Sequence, residues 1–210
     1  MSTFLDHQNW RYATKKFDST KKISKEDLNT LKEAIRLSSS SYGLQLYKVF
    51  IIENPKLRAK IQPAAWGQSQ IVDASHLVVF ANQTNVTDAD IDSYLKNVAE
   101  TRNIPETALS GYGDLMKGGI GAKSQDEKAI WTSKQTYLAL ANLLNAAAEL
   151  KIDVTPMEGF IAAQVNEILG FNELGLNASL IAPIGYRSED DATQHHKKVR
   201  KSSEELFITL

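Results

Sequence analysis

Residues 75–82 read SHLVVFAN, with no polar side chain between Leu77 and Ala81. A strand with one wet face alternates apolar and polar residues, so an unbroken run of this length predicts a strand buried on both faces. Working outward, YKVFIIE (47–53) is aromatic and β-branched and predicts a second strand. Before it, ISKEDLNTLKEAIRL (23–37) spaces Leu28, Leu31, Ile35 and Leu37 near a helical period, behind Ser24 as N-cap with Asp27 in the first turn. A serine run at 38–41 ends that helix, and KLRAKI (56–61) predicts a short one. Residues 86–119 read as two polar helices with a loop at Pro105. DEKAIWTSKQTYLALANLLNAAAELK (126–151) carries the longest helical pattern; its second half is apolar around most of its circumference, which predicts a buried helix. IDVTP (152–156) reads as a short strand closed by proline, GFIAAQVNEIL (159–169) as a helix and ASLIAPIGY (178–186) as a strand. No repeat or linker interrupts this order, which predicts one α+β domain over residues 1–210.

Composition removes several classes of function. Lys and Arg number 24 against 25 Asp and Glu, a net charge of −1, so no bulk field draws the chain to nucleic acid or to an anionic membrane. There is no cysteine, which excludes disulfides, thiolate nucleophiles and cysteine metal sites. MSTFLDHQNW lacks a basic segment followed by an apolar run, and no stretch approaches the roughly 20 apolar residues of a membrane span, so a cytoplasmic location is expected. GYGDLM (111–116) starts like a dinucleotide fingerprint but carries Met116 at the third glycine, with no hydrophobic strand before it. GGIGAKS (118–124) imitates a phosphate loop, with Ala122 before Lys123, and reads as a loop. His195 and His196 are adjacent, and neighbours rarely aim at one metal ion; His76 reads as a satisfied strand-end histidine. HHKKVRK (195–201) has no interleaved aromatic residues, so a solvated tail is the plainer reading than a nucleic-acid arm.

Four further segments have dull explanations singly: RYATK (11–15), SSYGLQ (40–45), TPMEGF (155–160) and KKVR (197–200). Jointly, with VDASHLVVF (72–80) and the pattern of Trp131, Lys134, Gln135, Tyr137, Leu138 and Asn142, they resemble the nitroreductase family of FMN-dependent NAD(P)H oxidoreductases. The resemblance implies a mixed, mainly antiparallel sheet flanked by helices in an intertwined homodimer, with FMN as cofactor and NADH or NADPH as electron donor. It implies a small aromatic or quinone acceptor, with no nucleic-acid or membrane partner. A phosphate dianion cannot be buried without cations and donors. By resemblance Arg11, Lys198 and Arg200 supply these, in a turn shared with Tyr12 and Ala13, and Lys15 faces the pyrimidine edge of the flavin. Pro156 and Met157 lead to Glu158 and Gly159, whose backbone sits beside flavin N5. Ser40, Ser41, Gly43 and Gln45 reach a flavin across the dimer interface, and the tail at about 203–210 pairs with the partner's sheet. An alternative reading is a flavin-binding or redox-sensing protein without turnover.

The sequence also departs from the family. Ala13 stands where a serine is frequent, and Tyr12 or Thr14 is expected to replace the lost hydroxyl. Gly67 aligns with an asparagine that contacts the flavin ring, leaving Gln68 and Gln70 as the nearest amides for that edge. Residues 105–124, a lid-like region, diverge most.

Overall fold

The structure, a computed structural model, describes residues 3–210. Its centre is a four-stranded sheet of order β1-β2-β4-β3, with β1 Tyr47–Ile52, β2 His76–Gln83, β3 Asp153–Val154 and β4 Leu176–Gly185. All three pairings are antiparallel. As the apolar run requires, β2 is central and is buried from His76 to Asn82.

The helices are α1 Thr3–Trp10, α2 Lys25–Arg36, α3 Pro55–Ala64, α4 Gln70–Asp73 and α5 Asp88–Arg102. They continue with α6 Ser110–Gly121, α7 Gln125–Glu149, α8 Ala162–Leu169 and α9 Ser203–Leu206. Successive residues of β2 enter opposite layers. Val78 and Phe80 join Leu180, Ala182 and Ile184 beneath α2 and α7, whereas Leu77, Val79 and Ala81 join Ala178 and Ile181 against α3 and α8. The pleat gives this alternation in β2, while a bulge in β4 puts Ala178 and Leu180, two positions apart, in opposite layers. The β2–β4 register shifts between Phe80 and Ala81, leaving Ser179 as the extra residue, and its hydroxyl donates to Asn82 Oδ1 at 2.6 Å. A third cluster, with Leu46, Ile91 and Met116, lies under α5 and α6.

Caps set the helix starts. Ser24 Oγ accepts from the Asp27 N–H at 3.0 Å, and Ser124 with Glu127 forms a capping box at the head of α7. Several expectations need correction. The second half of α7 buries Ala139, Leu140, Leu143, Ala147 and Ala148, but leaves Tyr137 and Leu138 exposed, so this chain covers only one face. Of the segment read as a loop at 118–124, residues 118–121 instead complete α6 and only 122–124 form a turn; α6 is less polar than expected because it buries Met116 and Ile120. Gly113 serves packing there: a Cβ would come within 2.8 Å of Leu95 Cδ1, so glycine lets α5 and α6 approach. The helix expected from 159 begins at Ala162. In the tail, Ser203–Leu206 forms a helical turn capped by Ser202, after which Phe207 is extended and Phe207, Ile208 and Leu210 are exposed.

The sheet edge brings distant segments together. Ala13 makes a parallel bridge to Val154, the one parallel pairing among the described residues, and Phe17 bridges Arg187 in antiparallel fashion. The Ser188 N–H donates to the Lys16 carbonyl at 2.9 Å. The N-terminal turn is thereby fixed beside both β3 and the segment after β4. No helix of the described residues is long and apolar enough to cross a membrane.

Candidate functional site

The N-terminal turn is organised around a buried ion pair. Asp153, 3% exposed, receives the Arg187 guanidinium at 2.6 and 3.0 Å and also the Arg187 N–H at 2.9 Å. That guanidinium lies over the rings of Trp10 and Tyr12, at 4.2 and 4.5 Å from their centroids. Arg11, between those two aromatics, lines a cavity of about 410 Å³ with Tyr12, Ala13, Pro156, Lys198 and Arg200. Lys197 and His196 complete its basic wall, and among the described residues no carboxylate lines it. The Lys198 ammonium donates to the Arg11 carbonyl across a separation of 187 residues. Burial, then the nearby Arg200, lowers the Arg11 pKa; burial, then Arg11 and Arg200, lowers that of Lys198. Partly desolvated like charges oppose folding, and the group that relieves such a cluster is an anion.

A second cavity, about 470 Å³, shares Pro156 and is lined by Met157, Glu158, Tyr137, Leu140 and Leu180. Met157 is pinned to β4 by N–H and carbonyl bonds to Ile181 at 2.8 and 3.1 Å. Beyond it the Glu158 and Gly159 N–H groups donate to no protein acceptor among the described residues. They are free because they sit in the loop between the Met157 bridge and α8, not in the helix's first turn. The Glu158 carboxylate is held from outside, accepting from the Tyr137 hydroxyl at 2.6 Å, a bond that pushes the Tyr137 pKa up to about 12. Gly159 packs closely under the Trp66 ring, which a Cβ there would meet at 2.8 Å. Gln68 Nε2 donates to the Gly159 carbonyl at 2.9 Å and to Ala65 at 3.1 Å, so its NH₂ secures this loop and is not open to a ligand. Gly67, at φ 71°, turns the chain between Trp66 and Gln68.

Other sequence-predicted residues fall elsewhere. Lys15 is exposed and lines neither cavity. Gln70 is buried in α4. Ser40, Ser41, Gly43 and Gln45 form the loop after α2, where the Ser41 N–H donates to Gln135 and Gln45 faces a groove along β1 with Tyr47 and Val49. Neither expected replacement for a serine hydroxyl serves at the cavity. The Thr14 hydroxyl is buried on Asp153 Oδ1 at 3.3 Å, and that of Tyr12 is given to Asp191 at 2.9 Å. Asp191 and Tyr137 are absent from the sequence-derived site. The only visible signal for Asp191 was an Asp-Ala-Thr cap at 191–193, and for Tyr137 its place in the α7 pattern.

The sequence model of the Nitroreductase family matches residues 9–186. A provisionally named NAD(P)H nitroreductase of Staphylococcus epidermidis is 37% identical over 214 residues, covering 98% of this chain and 96% of that protein. The similarly named YfkO of Bacillus subtilis is 35% identical over 197 residues, with 89% of each chain covered. Among solved structures, a provisionally named nitroreductase in complex with FMN from Exiguobacterium sibiricum superposes with a TM-score of 0.87 at 17% identity, covering 100% of this chain and 98% of that one. The provisionally named nitroreductase ydfN of Bacillus subtilis superposes with a TM-score of 0.88 at 20% identity, covering 99% and 98%. These superpositions show the same α+β fold.

Proposed function

Because the chain belongs to the nitroreductase family, we propose that it is an FMN-dependent oxidoreductase that takes electrons from NADH or NADPH and gives them to an electron-poor acceptor such as a nitroaromatic or a quinone. When bound, FMN supplies hydride transfer at N5, the donor and the acceptor using one space in turn. The observation that carries the reading is the convergence of Arg11, Lys198 and Arg200 on a cavity without a carboxylate. Two guanidinium forks and one ammonium suit a phosphate dianion, which arginine meets in a planar, paired manner and lysine as a point charge.

The chain's own residues then divide the work. The free Glu158 and Gly159 N–H groups are assigned to flavin N5, and Tyr137 keeps the Glu158 side chain drawn toward α7. Lys15 is assigned to the pyrimidine edge, where a fixed ammonium favours the electron-rich ring over the oxidised one. Ser40, Ser41, Gly43 and Gln45, which line neither cavity, are assigned to the site of a second copy, with the enzyme a homodimer.

The test is the visible spectrum of the purified protein before and after anaerobic NADH. Flavin bands that bleach support the enzyme, and bands that persist support a passive binder. Lys15→Ala should slow bleaching by roughly tenfold or more and weaken flavin retention, by loss of one charge-assisted contact. Unchanged rate and retention would remove that residue from the mechanism.

A further inference from the structure

Arg11 and the Lys198–Arg200 pair reach their cavity from segments that share no helix or strand, and no acid in the cavity ties them. Behind the wall lies the carboxylate of Asp191, which belongs to the segment leading to Lys198 and reaches across to the N-terminal turn. Asp191 is 1% exposed and receives five hydrogen bonds. Its Oδ2 accepts from the Tyr12 hydroxyl at 2.9 Å and from the Lys15 and Lys16 N–H groups at 2.7 and 3.1 Å. Its Oδ1 accepts from the Thr193 N–H at 3.0 Å and the Thr193 hydroxyl at 2.5 Å. Oδ2 thus grips the N-terminal turn, while Oδ1 caps Asp191's own turn at 192–195 and so fixes the start of the segment leading to Lys198. Tyr12 and Thr193 both line the cavity, so the grip ends on its wall. Burial pushes this carboxyl up, but the bonds from Thr193, Lys15, Lys16 and Tyr12 outweigh it and bring the pKa to about 2. The group is therefore ionised at neutral pH.

A negative charge behind an anion site acts in two opposed ways. By Coulomb's law it repels the anion, so a purely electrostatic role predicts tighter anion binding once the charge is removed. By geometry it fixes the backbone that carries Arg11 and Lys198, so a positioning role predicts weaker binding. We infer that Asp191 is a positioning residue that clasps the two halves of the phosphate cradle, and that this geometric effect exceeds its repulsion. Five donors on one buried carboxylate support this, since replacing one oxygen strands the three donors on Oδ2 or the two on Oδ1. The inference rests on the reading of the cavity as the FMN phosphate site.

The test compares FMN with riboflavin, which lacks the phosphate, by fluorescence titration of flavin-free full-length protein. The ratio of the two dissociation constants measures the phosphate grip alone. Asp191→Asn keeps the shape but leaves one acceptor oxygen for two sets of donors. It should weaken FMN binding by about tenfold while riboflavin binding stays within about twofold. Thr193→Ala removes one of the five bonds with little risk to folding, and should reduce the FMN preference by about threefold. A preference kept or raised in both variants overturns the clasp and leaves the phosphate site standing. An equal loss for both flavins also overturns it, by showing a general structural role. Unaltered protein that does not prefer FMN to riboflavin removes the phosphate site and the clasp together.

Discussion

Ala13 lines a cavity whose other side chains, Pro156 apart, all carry hydrogen-bond donors. Adding a hydroxyl there, in Ala13→Ser, should tighten FMN binding by about 0.5–1.5 kcal/mol, the net worth of one hydrogen bond, with riboflavin affinity unchanged. Fluorescence titration checks this, and weaker FMN binding would place Ala13 away from the phosphate. The cations now found lining the cavity were legible only through the family resemblance of their segments, singly indistinguishable from surface charge. The hydroxyls were not. Tyr12 and Thr14 sit in the right turn, yet their directions are set by Asp191 and Asp153, more than a hundred positions away. Sequence spacing around the turn carries no trace of those acceptors.

At the scale of elements, β3 has two residues, and its place depends less on ladder bonds than on Asp153. That carboxylate holds the Arg187 guanidinium and N–H and receives the Thr14 hydroxyl. Asp153→Ala should cost about 3 kcal/mol, seen as a lower urea midpoint, because it strands a largely buried guanidinium. A change below about 0.5 kcal/mol, typical of a surface substitution, would show that the pair carries little of the edge. Elements with a buried face were the readable ones. The stripe of Leu28, Leu31 and Ile35 and the unbroken core of β2 announce α2 and the central strand. By contrast α1 buries none of its residues and α9 is one exposed turn, so neither carries a periodic signal. The glycines of 118–121 read as a loop because helix propensity disfavours them, but tertiary packing of Met116 and Ile120 overrides that preference.

For the whole molecule, exposed apolar side chains and an open sheet edge are the surfaces a single chain offers to the proposed homodimer. Leu138 on α7 and Phe207, Ile208 and Leu210 in the tail are uncovered in the single chain, and β1 is hydrogen-bonded on one side only. Deleting residues 203–210 should lower the dimer's resistance to dilution in light scattering, and an unchanged dimer would exclude the tail from the interface. Stability should also vary with pH through His76. Its ring opens β2 with Nδ1 2.9 Å from Ser75 Oγ and Nε2 3.5 Å from Glu53. Burial lowers its pKa from 6.5, with Glu53 opposing, so the unfolded chain binds the proton more readily. The His76 contribution is complete above about pH 6.5 and is lost as pH falls from there toward the lower folded value. Urea midpoints should therefore decline between about pH 7 and pH 5, and less steeply in His76→Gln. Equal slopes would assign the decline to other groups. The 187-residue reach from Arg11 to Lys198 also orders events during synthesis. The first half of the grip leaves the ribosome early and stays open until residues 198–200 follow. On the proposed reading, cofactor loading waits for translation to pass that point, and a chain ending before Lys198 should purify without flavin.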